Sequence, residues 1–181
     1  MRIDQLEHAI RAACDIAQDT DLIIFGSQAL LATHPDAPEA LRASIEVDVQ
    51  PLNKPEAVDL IDGALGELSD FHAAFGFYVE GVLIDVAVLP EGWEQRTLAV
   101  CDEVGTRGNT GHCLELHDLA ASKLAAWRDK DREFVATLLT ERLIDLAVLD
   151  ERLRALPADR IDSAFRDSIR AWIRAMSPES G

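Results

Sequence analysis

Residues 22–49, LIIFGSQALLATHPDAPEALRASIEVDV, decide the fold that the sequence predicts. The apolar run at residues 22–25 is rich in β-branched and aromatic side chains and lies between Asp21 and Gly26, which is typical of a buried strand. Gly26 allows a tight turn, and Ser27 can cap a following helix whose first backbone N–H groups favour a phosphate. The sequence therefore predicts a strand, a turn suited to a phosphate, and a short helix.

A second strand is predicted at residues 44–49, SIEVDV. Because side chains alternate across a strand, Glu46 and Asp48 share one face and the apolar side chains share the other. Two neighbouring carboxylates repel each other, and a cation held between them removes that cost. An ordinary edge strand with one wet face would show the same alternation. The pair therefore predicts metal ligands only in combination with the strand and turn that precede it.

The order of these features is an apolar strand, Gly-Ser, a helix, and then acid-apolar-acid-apolar on the next strand. It resembles the nucleotidyltransferase superfamily with the DNA-polymerase-β-type fold. The resemblance implies an α+β fold, with a mixed β-sheet flanked by helices. It also implies that Gly26 and Ser27 hold the triphosphate of an NTP and that Glu46 and Asp48 hold Mg²⁺ or Mn²⁺.

Two features depart from the family's pattern. Eighteen residues separate Ser27 from Glu46, which predicts an inserted loop, and glutamate stands where aspartate is commoner.

Residues 75–89 are predicted to form a β-hairpin with its turn at Glu80 and Gly81. The second arm, VLIDVAVL, is apolar except for Asp85. An isolated acid in a central strand is costly unless it is paired or binds a metal, whereas an acid at a strand end can face water. In the nucleotidyltransferase fold a third acid lies on a later strand. The resemblance therefore implies that Asp85 is a metal ligand and a catalytic residue that orients or deprotonates the acceptor hydroxyl.

The C-terminal third is predicted to be a helical bundle, which divides the chain into a nucleotidyltransferase-like domain, residues 1–116, and a helical region, residues 117–181. A dense charge run, RDKDRE, follows the first predicted helix. Lys123 and Lys130 are seven residues apart and share a face if that helix is unbroken. The apolar stripe turns Asp131 inward, which indicates either a functional site or a salt bridge.

The stretches HDLAASKLAAWRDKDREFV and VLIDVAVLPEGWEQR resemble a bacterial family of uncharacterised nucleotidyltransferase-like domains. That family is similar to the abortive-infection toxins of type IV toxin–antitoxin pairs and to the mycobacterial tRNA-modifying toxins. In those relatives a lysine early in this helix and a basic–acidic motif one or two turns later complete the active site. The matching residues here are Lys123, Lys130 and Asp131, as catalytic residues. The resemblance covers about residues 20–145. It implies NMP transfer from an NTP to an acceptor, with tRNA or a protein among the candidates, and a cognate antitoxin as a partner.

Charge narrows the choice of partners. The net charge is −16, and residues 1–118 hold 6 basic and 22 acidic residues. Such a chain lacks the broad basic surface of a non-specific nucleic-acid-binding protein, so an RNA could approach only over residues 119–181. Two other functions stay open. One is a catalytically silent module that binds a protein partner, and the other is an enzyme that nucleotidylates a small molecule, which an acidic surface would tolerate.

The remaining composition indicates a cytoplasmic protein. Cys14, Cys101 and Cys113 show no paired spacing, which predicts reduced thiols rather than a disulfide framework or a zinc site. The apolar runs are too short to span a membrane, and the first residues lack the apolar core of a signal peptide.

Overall fold

The computed structural model describes residues 1–176, so the last five residues of the predicted helical region lie outside the described residues. The chain divides into two compact units. The first comprises Met1–Val86 and Arg96–Glu115, and the second comprises Ala87–Gln95 and the chain from Leu116 onward. Within residues 1–176, no helix has the length and apolar character that a membrane span requires.

The first unit is built on one mixed sheet. The strands are β1 (Asp21–Ile24), β2 (Glu46–Pro51), β3 (Tyr78–Gly81), β4 (Leu98–Val100) and β5 (Thr110–Cys113). In the described part of the chain, the order of the strands in the sheet is β3-β2-β1-β5-β4. The central strand β1 is antiparallel to β2 and parallel to β5, while β3 is parallel to β2 and β4 is antiparallel to β5. This sheet and the helices described below confirm the predicted α+β class.

Strands β1 and β2 follow the sequence pattern that predicted them. Leu22 and Ile24 of β1 have no exposed surface, as expected for the apolar central strand. In β2 the apolar Val47 and Val49 are fully buried, whereas Glu46 and Asp48 are half-buried on the opposite face. The strand begins at Glu46, two residues later than predicted. The period-two alternation thus places both acids on one face of the sheet.

Helices cover the sheet of the first unit. Helix α1 (Ile3–Ala17) buries an apolar stripe that includes Leu6 and Ile10. The insertion between β1 and β2 carries the short α2 (Glu39–Arg42). After β2 come α3 (Val58–Leu65) and α4 (Asp70–Phe75). Helix α3 packs against both β3 and α1, and α1 also packs directly against β1, β2 and β3.

The predicted hairpin at residues 75–89 is wrong. Strand β3 pairs with β2 rather than with the chain that follows it, because Tyr78 N–H donates to Ile45 O and Val82 N–H donates to Val49 O. Beyond Val82 the chain leaves the sheet and forms a 3₁₀ turn at Ile84–Val86. Glu80 therefore lies inside a strand and not in a turn. A long-range partner displaced the local pairing that the sequence had favoured.

The second unit is helical in the part of the chain that the structure describes. It contains α5 (Leu116–Ala126), α6 (Asp129–Thr140), α7 (Leu146–Arg154) and α8 (Ser163–Ala175). Helix α5 packs against the other three. The backbone breaks between α5 and α6, where Trp127 adopts a φ of 56°. Helix α5 begins at Leu116, and Asp118 lies fully buried in its first turn.

Gly81→Ala should destabilise the protein, because a Cβ at Gly81 would overlap the backbone carbonyl oxygen of Val58 at the start of α3. Forcing atoms into a packed site typically costs about 1–3 kcal/mol. Gly63→Ala is the matched control, since nothing lies within 4 Å of a Cβ built there. In that helix it should stabilise by about 0.5–1 kcal/mol. Urea unfolding measures both, and equal stabilities of the two variants would contradict the packing described.

Candidate active site

Gly26 brings the turn after β1 into contact with β2. Its backbone is extended, with a φ of −83°, so any residue could adopt its conformation. What excludes a side chain is space, because a Cβ at Gly26 would overlap the carboxylate oxygen Oδ2 of Asp48. Phe25 N–H also donates to Asp48 O at 3.3 Å. The glycine of the Gly-Ser pair is therefore required by the position of the second acid on β2.

The helix after Gly26 differs from the prediction in type. It is a 3₁₀ helix, Ser27–Ala32, and its N-cap is Gly26 rather than Ser27. Ser27 is its first residue and is half-buried. The turn and the helix start thus lie where the sequence predicted them, directly beside Asp48.

Three carboxylates from two adjacent strands form a cluster. Glu46 and Asp48 project from β2, and Glu80 projects from β3. The parallel register pairs Asp48 with Glu80 and Glu46 with Tyr78. One ligand oxygen of each carboxylate lies within 4.8 Å of one ligand oxygen of the other two. The cluster therefore results from strand pairing combined with side-chain alternation.

Crowding of the three acids changes how Glu80 titrates. A hydrogen bond with Glu46, then burial, and then the negative charges of Glu46, Asp48 and Asp62 raise the pKa of Glu80 to about 7. Near neutral pH the Glu80 carboxyl therefore holds a proton that it can share with the Glu46 carboxylate. The cluster lowers its own repulsion in this way when it holds no cation.

Tyr78, on β3, contacts the Glu46 carboxylate on β2. Its hydroxyl donates a hydrogen bond to Glu46 Oε2 at 3.3 Å. Burial, followed by the negative charge of Glu46, raises the pKa of Tyr78 to about 12, so the hydroxyl stays protonated and remains a donor. Tyr78 thereby restricts the orientation of the Glu46 carboxylate.

The donor set suits a hard divalent cation. Mg²⁺ prefers oxygen ligands at about 2.0–2.1 Å, so two ligand oxygens on opposite sides of it are about 4.2 Å apart. The separations of up to 4.8 Å between the carboxylates come within a small side-chain adjustment of that value. Glu46, Asp48 and Glu80 are thus the residues of this cluster that could hold a metal.

The structure brings Glu80, and not Asp85, to Glu46 and Asp48. Asp85 is exposed and lies on the 3₁₀ turn after β3, so its assignment as a metal ligand and catalytic residue stays a prediction. The sequence interpretation missed Glu80 because it placed the hairpin turn there. A signal was present, since Tyr78, Val79 and Glu80 repeat the polar-apolar-polar alternation of Glu46 to Asp48. Val79 is fully buried between its two polar neighbours.

Two of the three predicted residues of the second unit, Lys123 and Asp131, form an ion-pair group with Arg128. Asp131 is fully buried, as its place in the apolar stripe predicted. It accepts from Arg128 Nε at 2.6 Å and from Lys123 Nζ at 3.3 Å. Lys123 also lies over the ring of Phe134, 4.8 Å from its centroid. Lys130 is exposed on α6, and the break at Trp127 puts it on a different helix from Lys123. The salt-bridge interpretation of Asp131 is confirmed, and the catalytic roles of Lys123, Lys130 and Asp131 stay predictions.

An apolar central strand, a glycine turn against the next strand and paired acids on that strand define a nucleotidyltransferase-like arrangement. Residues 1–172 match the protein family described as "Nucleotidyltransferase of unknown function (DUF6036)". The chain belongs to this family. Comparison with curated proteins and with solved structures gave no match.

Gly26→Ala should weaken Mn²⁺ binding, because the new methyl group must displace the Asp48 carboxylate from its place in the cluster. Losing one carboxylate ligand position should raise the Kd for Mn²⁺ by about tenfold or more. Electron paramagnetic resonance of free Mn²⁺ in titrations of the protein provides the measurement. Gly63→Ala should bind as wild type does, and unchanged affinity in Gly26→Ala would show that Asp48 is not a ligand.

Glu80 should make the metal-free protein less stable as the pH rises. Its folded-state pKa of about 7 lies above its ordinary value of 4.5, so the folded state binds the proton more tightly than the unfolded state. Stability is therefore fully present below pH 4.5 and is lost as the pH rises through 7. After allowance for solvent screening, the expected loss is about 1–2 kcal/mol. Urea unfolding in the presence of a chelator should detect this loss in wild type and a much smaller one in Glu80→Gln. Identical pH profiles would disprove the proton assignment.

Proposed function

We propose that this protein is a divalent-metal-dependent nucleotidyltransferase that transfers an NMP from an NTP to an acceptor. The observation that carries the proposal is the cluster of Glu46, Asp48 and Glu80 beside Gly26. Carboxylates on adjacent strands next to a glycine turn can hold Mg²⁺ or Mn²⁺ close to a bound triphosphate. Membership of a nucleotidyltransferase family supports the proposal.

Glu46, Asp48 and Glu80 would hold the metal through their carboxylate oxygens. A metal held by these residues would supply positive charge that stabilises the charge developing on the transferred phosphate. Glu80, whose carboxyl is protonated near neutral pH in the metal-free cluster, would hold such a cation in its deprotonated form, as a third anionic donor. The Tyr78 hydroxyl keeps Glu46 in position. Ser27 and the backbone N–H groups near it would hold the triphosphate tail.

The acceptor hydroxyl and the transferred phosphates need further groups. Asp85 is the candidate that orients or deprotonates the acceptor hydroxyl. Lys123 and Lys130 are the candidates that neutralise charge on the phosphates, with Asp131 as the carboxylate that fixes Lys123 through their 3.3 Å contact.

A tRNA is the acceptor that the toxin-like motifs favour, and a cognate antitoxin would then be the protein partner. Residues 119–181 hold 11 basic and 11 acidic residues, in contrast to the acidic first part of the chain. An RNA would therefore bind weakly, and its use as an acceptor should decline steeply with salt. A small-molecule or protein acceptor would lack that steep dependence.

A catalytically silent module is the second candidate, and one observation favours it. Lys123 and Arg128 both pair with the buried Asp131, which gives each cation a structural partner inside the helical unit. Such a module would bind a protein partner without transferring a nucleotide.

Asp48→Asn should abolish transfer without reducing stability, because it removes a metal ligand and also removes like-charge repulsion from the metal-free cluster. The assay incubates the protein with each labelled NTP, Mg²⁺ or Mn²⁺, and total tRNA or cell lysate, at several salt concentrations. Asp59→Asn, an exposed acid on α3, is the control that should retain full activity.

Mn²⁺ affinity distinguishes the two candidate third acids. Weaker Mn²⁺ binding in Glu80→Gln, with retained affinity in Asp85→Asn, would assign the metal to the cluster of Glu46, Asp48 and Glu80. An active Asp48→Asn protein would exclude the proposed metal role. A wild-type protein that is inactive with every NTP and acceptor would favour the silent module.

A further inference from the structure

Gln28 is a buried polar residue directly after the Gly-Ser turn. Its side chain has no exposed surface. Its amide Nε2 donates to the carbonyl oxygen of Ser44 at 2.9 Å. The amide orientation is fixed by this contact, because a carbonyl oxygen can only accept a hydrogen bond. Gln28 therefore connects the 3₁₀ helix after β1 to the irregular segment that directly precedes β2.

Stability alone does not explain a glutamine at this position. Its other side-chain atom, Oε1, is also buried and has no hydrogen-bond partner among the described residues. A buried acceptor that has lost water without gaining a protein donor costs free energy, whereas an apolar side chain of similar length would not. The contact with Ser44 must therefore contribute something other than net stability.

That contact leads to Glu46 within two residues. The hydroxyl Oγ of Ser44 accepts a hydrogen bond from Glu46 N–H at 3.2 Å. Ser44 and Ile45 precede the strand, and Glu46 is its first residue. Glu46 thus lies at the N-terminal end of β2, where hydrogen bonds to the neighbouring strands constrain a residue less than they do at the centre of the strand. The chain of contacts from Gln28 through Ser44 fixes the backbone from which the Glu46 carboxylate projects.

The long insertion makes such a tether necessary. Eighteen residues separate Ser27 from Glu46, and after the 3₁₀ helix ends at Ala32 the segment carries only the short helix α2 within its described span. A longer connection leaves the start of β2 with more conformational freedom. The hydrogen bond between Gln28 and Ser44 joins the two ends of this connection, because Gln28 directly follows Ser27 and Ser44 lies two residues before Glu46.

We propose that Gln28 is a positioning residue, which fixes Glu46 relative to the Gly26–Ser27 turn and so pre-organises the metal and triphosphate sites together. The proposal rests on the proposed function only in taking Glu46 as a metal ligand. Removal of a residue that orients a metal ligand commonly lowers metal affinity by about 10–100-fold. Gln28 acts through the backbone of Glu46, so we expect the lower end of that range.

Gln28→Met tests the proposal, because methionine fills the same space without donating a hydrogen bond and without a buried unpaired oxygen. Its Tm should stay close to that of wild type, because the loss of the unpaired Oε1 offsets the loss of the hydrogen bond to Ser44 O, while its Kd for Mn²⁺ should rise about tenfold. Amide exchange of Glu46, followed by NMR in the metal-free protein, should become faster. Such a combination separates positioning from stability, because a merely structural residue would change all three properties in the same direction.

Ser44→Ala removes the next link in the chain and provides a double-mutant cycle. Ser44 is half-buried, so its truncation does not threaten folding. The double variant Gln28→Met, Ser44→Ala should bind Mn²⁺ no more weakly than the weaker single variant, because both changes break one connection. Additive losses would overturn the proposed chain of contacts.

Thr106→Val is the matched control within the same unit. Thr106 is also fully buried, and its hydroxyl donates to Asn109 O in the loop between β4 and β5. Unchanged Mn²⁺ affinity in this variant supports a specific role for Gln28, and an equal loss would overturn it. Wild-type affinity together with wild-type exchange of Glu46 in Gln28→Met would also overturn it. If wild-type protein binds no Mn²⁺, the proposed function fails, and exchange at Glu46 still decides whether Gln28 fixes that residue.

Discussion

Mutual repulsion among three carboxylates is the constraint on which the site depends. Glu46, Asp48 and Glu80 offer oxygens within 4.8 Å of one another, an arrangement that costs free energy unless the charge is reduced. Without a cation the protein reduces it with a proton, since the pKa of Glu80 is raised to about 7 by its hydrogen bond with Glu46 and by the surrounding charge and burial. The Tyr78 hydroxyl adds a neutral donor to Glu46. A proton and a divalent cation therefore compete for the same oxygens.

The position of this cluster follows from close backbone packing on two sides. Gly26 leaves room for the Asp48 carboxylate, and Gly81, at the end of β3, leaves room for the backbone of α3. Glycine is needed at both places because a Cβ would overlap a neighbouring atom, and neither residue has a left-handed backbone. The parallel pairing of β2 with β3 then sets Asp48 directly beside Glu80. A glycine in the turn after β1 and a glycine at the end of β3 thus allow the three carboxylates to meet.

The buried acids of the helical unit are stabilised by cationic partners. Asp131 pairs with Arg128 and Lys123, and Asp118 lies 3.1 Å from Arg152 Nε. A hydrogen bond with Arg170 lowers the pKa of Asp150. A buried charge is tolerated when an opposite charge and hydrogen bonds compensate for lost water. Much of the positive charge in residues 119–181 is therefore used in ion pairs inside the unit.

The sequence by itself determined β1, the glycine turn, the two acids of β2 and the inward direction of Asp131, because each depends on a local period of two or 3.6 residues. It did not determine the third acid. An apolar run at residues 82–89 favoured a local hairpin, and only the long-range pairing of β3 with β2 moved Glu80 into a strand and left Asp85 on a turn. The break at Trp127 put Lys123 and Lys130 on different helices, so the condition under which they would share a face, an unbroken helix, is not met. Local patterns fix which face a residue occupies, whereas tertiary pairing decides which strands, and hence which charges, become neighbours.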